Sequence, residues 1–82
     1  MSNVSATLRE HIIADFMGGN GTLDEDTRLV EEDIIDSLGI FLLINFIKDR
    51  LGVDVDPEDV TMENFSSIRA ITSLVDRKRA VA

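Results

Sequence analysis

The stretch that constrains this chain most is a junction. An acidic, loop-like segment ends at Ile34-Ile35-Asp36, and after one serine, Ser37, the run Leu38 to Ile47 is apolar apart from Gly39 and Asn45. Asp36 or Ser37 is a natural helix N-cap, because a short side-chain oxygen can accept from a free amide of the first turn. Gly52 stands where a C′ glycine belongs, so residues 37–51 read as a helix. At 100° per residue, Ile40, Leu43, Ile44, Ile47 and Leu51 form one stripe and are assigned to the core. Leu38, Leu42 and Phe46 fall far outside that stripe, and Phe41 lies at its edge. A helix in a small bundle cannot bury apolar residues on all sides, so some must stay at the surface close to Ser37. Such a patch points to a docking site. The run falls well short of the roughly 20 apolar residues that a bilayer span requires.

The remaining segments follow from periodicity and punctuation. Residues 3–17 read as a first helix, with Val4, Leu8, Ile12, Ile13 and Phe16 on one face and Ser2 or Asn3 as cap. Gly18-Gly19-Asn20-Gly21 ends it. Residues 18–36 form a long loop carrying Asp24, Glu25, Asp26, Glu31, Glu32, Asp33 and Asp36 against the single Arg28. A loop of this length in a small domain is often functional. Leu23, Leu29, Val30, Ile34 and Ile35 are expected to pin it to the bundle. Residues 53–60 are a second loop, with Val53 and Val55 tucked inward and Pro57 stiffening the turn. Residues 61–65 suit one short helical turn, capped by Thr61 and anchored by Phe65. Residues 67–79 read as a last helix capped by Ser66 or Ser67. Ile68, Ile71, Leu74 and Val75 form its apolar face, and Arg77-Lys78-Arg79 complement the helix dipole at its end. The expected fold is an all-α four-helix bundle with a short third helix and a long acidic loop between the first two helices, residues 1–82 forming a single domain.

Bulk properties exclude several functions. With 82 residues there is room for one modest core and no cleft of enzyme size. Hydrophobic residues make up 44% of the chain, a globular composition. There is no cysteine, which excludes disulfides and thiolate metal sites. A small domain without such staples suits the cytosol. The net charge of −8, from 16 acidic and 8 basic residues, disfavours nucleic acid and anionic membrane surfaces and favours basic protein partners. No basic segment followed by an apolar core opens the chain, so no signal peptide is expected.

Ser37 is the residue to weigh for chemistry. A nucleophile elbow has glycines two residues to each side of its serine; here Ile35 occupies the first place and Gly39 the second. The only histidine, His11, lies next to the apolar face of the first helix, so a hydrolase finds no base of its own. A calcium loop starting at Asp24 would need glycine and glutamate where Leu29 and Ile35 stand, so the acidic run reads as a solvated charge run and no metal site is expected. Glycines 18, 19 and 21 lack a following Gly-Lys-Ser/Thr and only terminate a helix. The bland reading of Ser37 is an N-cap. Against it stand the long acidic loop before it, the surplus apolar surface after it, and the free amides of a helix start, which favour a phosphate ester on its hydroxyl. Asp33 and Asp36 oppose that in part. The chemistry expected is attachment rather than catalysis.

With its helix, long loop, Asp36-Ser37-Leu38 at the start of a second helix, short third helix and final helix, the chain resembles the acyl carrier protein family, including peptidyl and aminoacyl carriers. The resemblance spans nearly the whole chain. It implies that Ser37 receives 4′-phosphopantetheine from coenzyme A by the action of a phosphopantetheinyl transferase. The arm's thiol then holds an acyl or aminoacyl group as a thioester, and the carrier itself catalyses nothing. Asp36 usually helps the transferase complex in this family, and Leu38 with the outward face of the second helix usually forms the docking surface, here Leu38, Phe41, Leu42 and Asn45. Fatty-acid-synthesis members typically carry acidic residues along that helix. The equivalent outward positions here include Gly39, Leu42 and Lys48, with only Asp49 acidic, which looks more like carriers of specialised pathways. The resemblance thus implies a stand-alone, monomeric, cytoplasmic carrier. It would serve an adenylate-forming ligase or acyl and aminoacyl transferases. The alternative is a small acidic helical adaptor that binds a partner through the same patch and carries no prosthetic group.

Overall fold

Alternation of apolar faces with glycine and proline punctuation sets the element order. The computed structural model describes residues 3–81, and within them helices α1 (Asn3–Phe16), α2 (Ser37–Phe46), α3 (Met62–Phe65) and α4 (Ile68–Val81) follow one another, with no strand among them. Of the two caps expected for α1, Ser2 lies outside the described residues, and the helix already includes Asn3. Its end comes where glycine first appears. Gly18 takes a left-handed conformation (φ 66°), and the Gly19 amide donates back to the Ile13 carbonyl at 2.8 Å.

The helix expected over 37–51 is α-helical only to Phe46. Its last turn, Ile47–Leu51, widens to a π-helix before Gly52 closes it at φ 67°. The widened turn keeps Ile47 buried and Leu51 half-buried while Lys48, Asp49 and Arg50 all face outward. Within the second loop, Pro57–Asp59 form one 3-10 turn with a capping box: Asp56 caps it, and the Asp59 side chain accepts from the Asp56 amide at 3.2 Å. Thr61 caps α3 through an acceptor bond from the Asn64 amide, and Ser67 rather than Ser66 caps α4, accepting from the Ala70 amide.

One core joins every segment. Val4, Leu8 and Ile12 of α1, Leu43 of α2, Ile47, Val53, Phe65 of α3, and Ile68, Ile71, Leu74 and Val75 of α4 are buried together with Leu23, Leu29 and Ile35 of the first loop. The stripe assigned to α2 is therefore only partly interior: Leu43 and Ile47 are buried, whereas Ile40, Ile44 and Leu51 pack half-exposed at the core's edge. Of the loop residues expected as pins, Leu23, Leu29 and Ile35 are buried, Ile34 packs against the core, and Val30 stays half-exposed outside it.

The acidic loop is tied to the α3–α4 corner by backbone and side-chain bonds. The Leu29 amide donates to the Ser66 carbonyl (2.9 Å) and the Arg69 amide to the Glu25 carbonyl (2.9 Å). The Arg69 guanidinium forks onto both Asp26 oxygens (2.6 and 3.2 Å). That hydrogen bond holds the Asp26 carboxyl below its usual range. Residues 28–34 close a helical turn of their own, with Glu32 bonded to Arg28 and Ile34 to Leu29, and Asp33 ends it in the left-handed region (φ 58°). At the opposite side, Lys78 binds Asp56 (2.7 Å) and Asp59. These carboxylates push the lysine up to about 12. Arg77 reaches the Asn64 amide oxygen and Arg79 the Leu51 carbonyl. The basic end of α4 thus meets the second loop and α3, in addition to its own helix dipole.

Candidate functional site

The start of α2 is built from its cap outward. Asp36 has extended backbone angles (φ −105°, ψ −171°), and its Oδ1 accepts from the Gly39 amide at 2.8 Å, which makes Asp36 the N-cap. Ser37 is consequently the first helical residue, not the cap. Its side chain is free of the capping task and exposed. The amides of a helix's first turn have no intrahelical acceptor. Here Asp36 satisfies that of Gly39, and the positive end of the helix dipole lies at Ser37.

Leu38, Phe41 and Leu42 follow on the outer surface, 66, 65 and 50% exposed, and Asn45 is exposed beyond them. These large apolar side chains remain outside because the core side of α2 is already filled by Leu43 and its neighbours. Val60 and Met62, also exposed, extend the apolar surface towards α3. A groove of about 430 Å3 between α2 and the second loop is lined by Phe41, Ile44, Val55, Pro57 and Val60.

Two positions of α2 differ from expectation. Phe46, assigned to the surplus apolar surface, is half-buried: its ring stacks on the His11 imidazole, with centroids 3.7 Å apart and planes 9° from parallel. The histidine, which also has Nδ1 3.3 Å from Asp15 Oδ2, acts as a packing plate between α1 and α2. Gly39, counted among the outward positions, faces inward and is buried. A β-carbon there would meet Ile35 Cγ2 at 2.8 Å and Phe16 Cε1 at 2.9 Å. The i+2 spacing from Ser37 could have signalled this, since residues two apart on a helix lie on nearly opposite faces.

Comparison with known proteins decides between carrier and adaptor. Residues 7–75 match the family described as the phosphopantetheine attachment site. The probable acyl carrier protein PigG of Serratia sp. (strain ATCC 39006) is 31% identical over 78 residues, covering 94% of this chain and 90% of that protein. Among solved structures, a chain from a crystal structure of an FAD-dependent dehydrogenase is 30% identical with a TM-score of 0.75, over 80% of this chain and 94% of that one. The helical bundle with its capped, apolar second helix, together with a family match over most of the length, places this chain in the phosphopantetheine-binding acyl carrier protein family, whose members carry 4′-phosphopantetheine covalently.

Proposed function

We propose that Ser37 is the attachment residue, and that residues 1–82 form one carrier domain serving a specialised biosynthetic pathway rather than general fatty acid synthesis. The placement of Ser37 carries this reading. An exposed hydroxyl sits on the first residue of α2, directly after the Asp36 cap and before the exposed Leu38. The residues present fit the group. The free first-turn amides and the helix dipole favour an anionic diester there, while Asp33 and Asp36 oppose it in part. Ser37 contributes its oxygen to the new phosphodiester and gives up its proton, and adenosine 3′,5′-bisphosphate leaves coenzyme A. When bound, the arm supplies a terminal thiol that holds acyl or aminoacyl cargo as a thioester. The chain catalyses none of these steps; Asp36 fixes the first turn, and Leu38, Phe41, Leu42 and Asn45 receive the partner enzymes.

The specialised-pathway reading rests on the outer face of α2, which is apolar where fatty-acid carriers are acidic. At about 25 cal/mol per Å2, covering one or two of these side chains contributes a few kcal/mol before the cost of association, which suits brief encounters. The partners are a phosphopantetheinyl transferase and an adenylate-forming ligase or acyl and aminoacyl transferases. A flavin-dependent dehydrogenase joins them, because the solved chain similar to this one is of carrier size and comes from the crystal structure of such an enzyme. The carrier works as a monomer in the cytoplasm, where coenzyme A is available. Among the described residues no helix is long and apolar enough to cross a membrane.

The test is intact-protein mass spectrometry before and after incubation with coenzyme A and a broad-specificity phosphopantetheinyl transferase. The protein is expected to gain one phosphopantetheine, and Ser37→Ala none. An arm accepted by Ser37→Ala would overturn the assignment.

A further inference from the structure

Glycine costs a helix interior about 1 kcal/mol relative to alanine, so a buried glycine within the first turn of α2 needs a reason. Conformational freedom is not the reason, since Gly39 is not among the residues with positive φ. Close approach is. A β-carbon at Gly39 would lie 2.8 Å from Ile35 Cγ2 and 2.9 Å from Phe16 Cε1, closer than real β-carbons come, and 3.4 Å from Asp36 Oδ1. Neither neighbour yields easily. Ile35 is buried at 2% exposure, and its branched β-carbon restricts χ1. The Phe16 ring packs against the core and stands edge-on to His11, with centroids 6.1 Å apart. The element able to move is the first turn of α2 itself, which carries Ser37 and Leu38 and is tied to Asp36 by the cap bond to the Gly39 amide and by the Ile40 amide on the Asp36 carbonyl.

We propose that Gly39 is a positioning residue for attachment at Ser37. Its missing side chain lets the first turn of α2 seat on Ile35 and Phe16, and this seat fixes the orientation in which the Ser37 hydroxyl is presented to the transferase. The inference rests on the reading of Ser37 as the attachment residue. A methyl group at position 39 lifts the turn by a few tenths of an ångström, and misplacement on that scale at a reacting atom slows transfer while Phe41, Leu42 and Asn45, beyond the turn, stay in place.

The experiment compares rates of arm attachment to the apo protein for wild type, Gly39→Ala, Phe16→Leu, the double variant Gly39→Ala/Phe16→Leu and the core control Val75→Ala. All are assayed at a temperature where circular dichroism shows them folded. Gly39→Ala is expected to lose about tenfold in kcat/KM, chiefly in kcat. The double variant, with the ring edge removed and Ile35 Cγ2 still in place, should recover part of the lost rate relative to Gly39→Ala, and Val75→Ala should match wild type. A wild-type rate for Gly39→Ala, an equal loss in Val75→Ala, or a folded double variant that stays as slow as Gly39→Ala would each overturn the proposal while leaving Ser37 as the attachment residue. Should Gly39→Ala fail to fold, recovery of both folding and rate in the double variant still supports the seat. A wild-type protein that gains no arm from a transferase active on another carrier would overturn the Ser37 reading and this inference together.

Discussion

Helices α2 and α4 solve opposite problems. In α4 the apolar residues Ile68, Ile71, Leu74 and Val75 are all buried, and its basic residues are tied elsewhere: Arg69 to Asp26, Arg77 to Asn64, Lys78 to Asp56 and Asp59, Arg79 to the Leu51 carbonyl. Helix α2 carries no charged residue from Ser37 to Phe46 and leaves Leu38, Phe41 and Leu42 in solvent. A helix whose apolar face matches what its neighbours can cover is spent on the fold. One that exceeds this leaves apolar surface uncovered, and in this molecule the excess, the surface proposed for docking, begins beside the serine that bears the proposed attachment.

Three substitutions would break or sharpen that contrast. The largest effect is expected from Ile71→Ala, which empties a fully buried site in the core and should cost about 2–5 kcal/mol by chemical denaturation. A cost below 1 kcal/mol would mean that α4 is less committed to the core than its burial implies. Leu42→Glu should do the reverse. Stability should change by no more than about 0.5 kcal/mol, as for surface substitutions generally, while partner turnover falls roughly tenfold through loss of apolar contact. Unchanged turnover with a cognate enzyme would argue that the exposed face of α2 is idle. The smallest effect is reserved for Arg69→Met, which removes the side-chain tie between α4 and Asp26 of the acidic loop and leaves the backbone bonds there in place. Because Arg69 holds the Asp26 carboxyl below its ordinary 3.8, the pair's contribution is present above that pH and fades as pH falls through the lowered value. The variant should melt slightly below wild type at neutral pH, and the gap should close in acid. A gap of constant size from pH 7 to pH 2 would exclude the ion pair as its source. Both side chains are well exposed, so salt should narrow the gap as well.

Much of this arrangement was legible in the residues. Periodicity located the three long helices because a 3.6-residue repeat must place residues such as Ile68, Ile71, Leu74 and Val75 on one side whatever they pack against, and the short third helix followed from its cap and anchor. Short polar side chains marked the caps, and Thr61 and Ser67 serve as such. Surplus alone required some of Leu38, Phe41, Leu42 and Phe46 to stay outside, and the first three do. Less legible were the places where a neighbour distant in sequence decides. Phe46 is covered by His11 from α1. The first loop is fastened by Arg69, 43 positions beyond Asp26. Ile40 and Ile44 share the stripe of Leu43 but reach only the rim of the core, since a helical pattern gives direction and not depth.

By itself the sequence determined an acidic all-helical chain, its order of elements, and a serine at the start of an over-apolar helix, because each of these depends on local spacing, composition and capping chemistry. Only the tertiary structure decided that the acidic loop is anchored to the α3–α4 corner and that Gly39 lies against Ile35 and Phe16. Those outcomes turn on which surfaces meet, and a spacing rule contains no information about the atoms on the other side of the contact.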